Sequence, residues 1–330
     1  MMRAAYVPGP DRVEVGDFAV PSANRPGDLV VRMLWASICG SDVHHIYHGY
    51  LKPEGVNQPG YPGHEGVGVV VESRSSRYAV GDHVLTVPAS GRCFAEYQLI
   101  DELHVVALPS DGDFPRLLMA QQYGTTLFAM RMFWTGGPAR TAAIIGAGSA
   151  GLFFLQHARR LGFEQVVISD LNADRLAVAE HLGADVTVHA PAESLVDAAR
   201  DVTDGVGADL VIEAAGYDTL RADAISAVRS RGAVGYFGLP ESQGLVPFPM
   251  HAAYRKAVRI QLASATQAEP GLVAFRDAVE HIRSGLVDVD YCLGNVYSVE
   301  QTPAALERAR DQGHGAVKLS IRFGADGPGA

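Results

Sequence analysis

The chain has 330 residues, 48% hydrophobic and 19% charged, a globular composition with enough length for about two domains that each bury their own core. Its formal charge of −10 argues against a general binder of nucleic acid or acidic membranes, because either needs a net basic face and no local basic patch supplies one. Cys39, Cys93 and Cys292 are odd in number and widely spaced, so they form no disulfide framework and fit a reducing cytoplasm.

In chain order, "MMRAAYVPGP" breaks at Pro8 before the apolar core of a signal peptide could form. Short β-rich runs follow, "DLVVRMLWA" and "EGVGVVVES", separated by glycine and proline turns, and they predict a compact β-rich domain. The character changes near residue 115. From Thr141 strands alternate with helices: "TAAIIGAG", a helix through Leu161, "QVVISD", a helix from Ala173 to Leu182, then "ADVTVHA". The alternation continues with "ADLVIEAAG", a helix over Ala222 to Ser230, "GAVGYFGL" and "RIQLASA". Such alternation specifies a parallel sheet covered by helices on both faces, so the fold class is α/β. The most apolar window, "AAIIGAGSAGLFFLQHA", is glycine-interrupted and too short to span a membrane. The tail "RFGADGPGA" reads as frayed.

Two motif blocks carry chemistry. Gly146-Ala147-Gly148-Ser149-Ala150-Gly151 follows an apolar strand and opens an apolar helix. Its glycines allow a tight turn, close approach of backbone to a pyrophosphate at the helix N-terminus, and close helix-to-strand packing. Asp170 ends the next strand 19 residues after Gly151, near the spacing of an acid that accepts hydrogen bonds from a ribose 2′-hydroxyl and repels a 2′-phosphate. NAD is therefore expected rather than NADP. Arg175 is the opposing feature, either a receiver for such a phosphate or a plain helix-surface charge. The second block, "CGSDVHHIYHGY" from Cys39 to Tyr50, taken alone is as readily a solvated loop as a metal site. "YPGHEGVG" adds His64 and Glu65 beside glycines that permit close packing, and Cys, His and Glu together suit zinc. The 25 residues from Cys39 to His64 are not a zinc-finger spacing, so such a site is assembled by the fold and can keep a position open for substrate.

Read together, "CGSDVHHIYHGY…YPGHEGVGVVVE…VGDHV…FAEY" and "IIGAGSAGLFFLQHARRLGF" resemble the zinc-dependent medium-chain dehydrogenase/reductase family, and within it the sorbitol and polyol dehydrogenases, over nearly the whole chain. The resemblance implies a GroES-like β-rich catalytic domain from residues 1–120 and 267–330 and a doubly wound Rossmann domain over 121–266. It also implies one catalytic zinc, NAD, and a cytoplasmic homodimer or homotetramer. The implied reaction oxidises a secondary alcohol, a polyol, sugar or cyclitol, to a ketone, or runs in reverse; the partner is that small molecule.

Residue by residue, Cys39 and His64 match zinc ligands, and Glu65 matches the adjoining acid that ligates in polyol-type members. Gln121, in "LLMAQQYGTTLFAMR", falls where the remaining ligand is commonly Cys, Asp or Glu, with Gln122 the alternative one residue on; a neutral amide binds directly, binds through water or leaves the position open. Ser41 matches the hydroxyl that takes the alcohol proton, and His44 the outer member of that relay. Asp42 matches the acid that orients His64, while Ser41 and Asp42 are equally able to cap a helix after Cys39. His45, Tyr47, His48, Tyr50 and Lys52 are divided between substrate contact and plain surface. Lys318 matches a cation on the cofactor pyrophosphate or is a surface lysine, and Gly216, Gly238 and Leu239 resemble turns lining the cofactor cleft. "LTVPASGRCFAEY" leaves no room for a four-cysteine lobe, so no structural zinc is expected. The alternatives are a zinc-free quinone or enoyl reductase and a catalytically silent nucleotide-binding protein.

Overall fold

The computed structural model describes residues 1–89 and 91–324; the glycine-rich tail beyond Gly324 lies outside the described residues. The chain divides into two compact units, one formed by residues 1–124 together with the chain from Gln267 onward, the other by Thr125–Thr266.

The first unit is built on a seven-stranded sheet around the long strand Asp28–Ile38. Around its middle the strand alternates buried Val31 and Met33 with exposed Arg32, the period-two pattern of an antiparallel strand, and a register shift between Met33 and Trp35 changes the phase so that Ala36 is buried as well. Glu65–Ser73 pairs antiparallel along it, and Leu319–Arg322 pairs along its other edge. The register sets Ser37 opposite Glu65 and Ile38 opposite Leu319. Cys39, the His64–Glu65 pair and Lys318 are therefore delivered to one end of the sheet from three distant stretches of sequence. Val31, Val70, Val84, Phe94 and Ile321 fill the core beneath, and each fully buried side chain of this size stabilises the unit by roughly 1.5–3 kcal/mol.

The second unit is a six-stranded parallel sheet in the order Val186–His189, Gln165–Asp170, Thr141–Ile145, Ala208–Glu213, Val228–Tyr236, Arg259–Leu262. Thr141–Ile145 and Ala208–Glu213 are buried at every position, as expected for strands covered on both faces. Strand order reverses between these two, which marks the place where doubly wound sheets bind ligands. One helix differs from expectation: the segment predicted over Ala222 to Ser230 is helical over Asp218–Ala227. Val228 is extended, with φ −75° and ψ 143°, and starts the next strand at once. The buried, β-branched Val228 pairs with Ala208 before the register jumps to Leu210 opposite Ala233, so strand pairing overrides local helical preference there.

Candidate metal and dinucleotide sites

The helix Gly40–Tyr47 starts immediately after Cys39. The Cys39 backbone N–H donates to Asp42 Oδ2 at 2.9 Å, which ties down an N-terminal donor that the helix itself cannot satisfy. The other oxygen of Asp42, Oδ1, lies 3.1 Å from His64 Nδ1. Asp42 is fully buried and performs both expected tasks at once, capping the helix and orienting the imidazole. With Nδ1 turned to Asp42, Nε2 is the ring atom left to ligate. Burial opposes charge on His64, but Asp42 and then Cys39 outweigh it and hold the pKa well above the ordinary histidine value.

Cys39, His64 and Glu65 each place one ligand atom within 4.8 Å of the others. Glu65 is buried; its Oε2 accepts from the Ser37 hydroxyl and lies 2.6 Å from Lys318 Nζ. Its Oε1 is buried with no hydrogen-bond partner among the described residues. A buried oxygen without a partner is costly, and beside a thiol and an imidazole it fits a divalent metal, for which Cys, His and carboxylate are the usual zinc donors.

Of its two expected roles, Lys318 does not take that of a surface lysine: it is 3% exposed, and its ammonium is engaged by Glu65 and by Gln122 Oε1 at 2.9 Å. Burial works against its charge, yet Glu65 and the Cys39 sulfur more than offset this and its pKa is raised. Gln121 and Gln122 are both buried, with the Gln122 oxygen held by Lys318. The Lys318–Glu65 pair carries no local sequence signal, since it depends on strand register.

Ser41 and His44 are three residues apart on the same helix and share a face. His44 Nδ1 lies 3.0 Å from the Gly40 carbonyl, and its ring meets His48 edge-on with centroids 4.8 Å apart. His45 Nδ1 lies 2.9 Å from the Tyr50 carbonyl and 3.3 Å from the Tyr61 hydroxyl, which pins the loop. Tyr47 packs on the core beneath Arg310, while His48 and Lys52 are exposed.

In the parallel-sheet unit, Gly146 has φ +97° and donates to the Ser169 carbonyl at 2.8 Å. Gly148 precedes the helix Ser149–Arg160, which Ser149 and Ala150 open; a Cβ on Gly148 would meet open space. A Cβ on Gly151 would collide with the Gly146 carbonyl, so helix and turn can pack this closely only with glycine there. Asp170 Oδ2 accepts from Ala147 N–H at 2.7 Å and Oδ1 from Asn172 N–H at 2.9 Å, which fixes the acid against the glycine turn. Arg175 is the third residue of the helix Ala173–His181. Gly216 and Gly238 pack turn on turn: a Cβ on Gly216 would lie 2.5 Å from the Leu239 carbonyl oxygen, and one on Gly238 would strike the Gly216 amide. The strand-ending Glu213 beneath them is a residue that sequence reasoning passed over; an acid closing an apolar strand was the available signal.

Residues 25–114 match the model of an alcohol dehydrogenase GroES-like domain, and residues 150–282 match that of a zinc-binding dehydrogenase. A sorbitol dehydrogenase of Bacillus subtilis (strain 168) is 25% identical, with 97% of each chain covered. A D-xylulose reductase A of Aspergillus niger is 29% identical, with 92% of each covered. The solved structure of alcohol dehydrogenase TADH from Thermus sp. ATN1 matches with a TM-score of 0.83 at 25% identity, over 97% of this chain and 99% of that one. No helix among the described residues is long and apolar enough to cross a membrane. Two domain models in the expected order, and relatives aligned nearly end to end, mean that the chain belongs to the zinc-type medium-chain dehydrogenase family and is an oxidoreductase of the alcohol dehydrogenase class.

Proposed function

We propose that the protein interconverts a hydroxyl-rich secondary alcohol, a polyol, sugar or cyclitol, and its ketone by hydride transfer, with NAD as the coenzyme and one zinc per chain. The observation that carries this reading is the partnerless buried Oε1 of Glu65 beside Cys39 and His64. A zinc-free reductase would have no use for that arrangement. Cys39, His64 and Glu65 hold the metal, Gln121 occupies the remaining position of the set, and Asp42 keeps the His64 ring turned so that Nε2 ligates. When bound, zinc supplies the Lewis acidity that makes an alcohol oxygen acidic near neutral pH.

The chain's own groups then manage the proton. The alcohol O–H proton passes to the Ser41 hydroxyl, which hands its own proton to His44 one helical turn along, and the partly exposed His44 releases it to solvent. When bound, the nicotinamide would supply the two-electron acceptor for the carbinol hydrogen, which would depart with its bonding pair as hydride, so the alcohol would be oxidised as the coenzyme is reduced. Asp170, already fixed by Ala147 and Asn172, accepts from the adenosine ribose hydroxyls and disfavours a 2′-phosphate, with Arg175 as the competing influence. The same reading places the enzyme in the cytoplasm as a homodimer or homotetramer.

The test is elemental analysis of metal-saturated, washed protein alongside NAD-dependent turnover on a panel of linear and cyclic polyols. One zinc per chain with NAD-coupled oxidation supports the proposal. Two tightly held zincs, or full activity with none, refutes it.

A further inference from the structure

A dinucleotide bound where strand order reverses meets two walls, the glycine turn after Thr141–Ile145 and the 214–216 turn after Ala208–Glu213. The two turns pack on each other, since a Cβ on Gly146 would lie 3.2 Å from the Ala215 Cβ. Glu213 closes the second strand with a fully buried carboxyl. Its Oε1 accepts from the backbone N–H groups of Ala215 at 2.7 Å and Gly216 at 2.6 Å. Its main-chain oxygen accepts from Phe237 at 2.9 Å and Gly238 at 3.1 Å. One residue thus ties the turn after its own strand to the turn after the next.

Oε2 is buried beneath that seam with no hydrogen-bond partner among the described residues, and a Cβ on Gly238 would lie 3.0 Å from it. The nearby charges largely offset one another: Arg221, on the following helix, favours the ionised carboxyl, but it is paired with Asp218, which opposes it, and lies over the ring of Tyr236. Burial is the main reason that the Glu213 pKa is raised, against the lowering effect of the two backbone donors. An apolar side chain would fill this position without leaving an unsatisfied oxygen, but it could not hold the turn at Gly216, whose φ is +91°.

Resting on the coenzyme reading above, we propose that Glu213 is a positioning residue for the coenzyme: its carboxyl holds the 214–216 turn in the shape of the second crevice wall and so sets dinucleotide affinity without touching the reacting atoms. Glu213→Ala removes the acceptor. Glu213→Asp draws it back by one methylene, out of reach of both N–H groups. Glu213→Gln keeps a carbonyl oxygen in place.

The experiment is fluorescence titration of the full-length wild type and the three variants with NADH and, separately, NADPH, with thermal melting followed by circular dichroism. The Ala and Asp variants should bind the preferred coenzyme about tenfold more weakly, equivalent to about 1.4 kcal/mol, and the Gln variant within threefold of wild type. If Glu213→Ala does not fold, the Asp and Gln pair decides. A loss below threefold in the Ala and Asp variants, or a Gln variant as weak as these, overturns the positioning role. Wild type that binds neither coenzyme overturns the coenzyme reading, and this proposal with it.

Discussion

Asp42→Ala tests how the metal pocket is organised. The substitution removes the acceptor for the Cys39 N–H and the oxygen that orients His64, both supplied by a fully buried carboxylate. A hydrogen bond to a charged group contributes about 1.5–3 kcal/mol, and loss of a helix cap costs about 1 kcal/mol, so unfolding stability should fall by about 3 kcal/mol. Freeing a metal-ligating imidazole from its carboxylate typically weakens metal affinity about 10–100-fold, or about 1.4–2.7 kcal/mol. Zinc competition against a chromophoric chelator reads the second effect, and urea unfolding of stripped protein the first. The pH dependence has a definite sign. Burial opposes the charged imidazole, but Asp42 wins and raises the folded pKa of His64 above its unfolded value of about 6.5. The resulting stabilisation of the stripped wild type is fully present below about pH 6.5 and is lost as pH rises through the raised value; Asp42→Ala should flatten that slope. An alanine variant that binds zinc within threefold of wild type, with unchanged unfolding, would refute the arrangement.

Three further outcomes follow from the same geometry. Lys318→Met strands the buried Glu65 carboxylate with only Ser37 as a donor, so urea unfolding should report a loss near the lower end of about 3–5 kcal/mol, and a loss under about 1 kcal/mol would show that the pair is not buried as described. Iodoacetamide at pH 8 should label Cys39 in native stripped protein and spare Cys93 and Cys292, whose thiols burial pushes up to about 12; equal labelling of all three contradicts the packing. Ser41→Ala should keep its zinc yet lose turnover by about 10²-fold or more, whereas His44→Ala should show a milder defect that shrinks as pH rises; near-normal turnover in Ser41→Ala removes the helix from the proton path.

What could be read from the sequence divides along the range of the interactions. The glycine turn and Asp170 were legible because strand, turn and helix are contiguous, and the clash awaiting a Cβ on Gly151 arises within one motif. The capping part of Asp42's role was legible for the same reason, three residues from Cys39. Its second task, on His64, was readable only through family resemblance, since 22 residues separate the two and no periodicity joins them. Lys318 lay beyond both kinds of reasoning. Its position beside Glu65 follows from the pairing of Leu319 with Ile38 and Glu65 with Ser37, registers that join the strand Asp28–Ile38 both to a neighbour in sequence and to one at the far end of the chain, set by how their buried faces match. The end of the helix at Ala227 was missed on similar grounds, because buried pairing of Val228 with Ala208 decided it.

Lys318 also changes how the charge of the pocket should be counted. In the metal-loaded state proposed above, where ligands are held deprotonated, the Cys39 thiolate and the Asp42 and Glu65 carboxylates would face the Lys318 ammonium at one end of the sheet, with the two carboxylates and the ammonium buried. The surplus of two negative charges is expensive to keep out of water, and a divalent cation cancels it where a monovalent one does not. If position 121 completes the set as proposed, an anionic residue there, the Cys, Asp or Glu that the resemblance leads one to expect, would leave the loaded pocket one charge negative. The neutral Gln121 keeps it balanced. If Gln121 belongs to the set as proposed, it and Lys318 act together: Lys318 favours ionisation of a carboxyl placed at 121, so Gln121→Glu should gain more zinc affinity in wild type than in a Lys318→Met background, where the new carboxyl keeps its proton more tightly and zinc must displace it. Chelator competition on the two single variants and the double variant measures that coupling, and strict additivity would show that the two positions do not share one electrostatic balance.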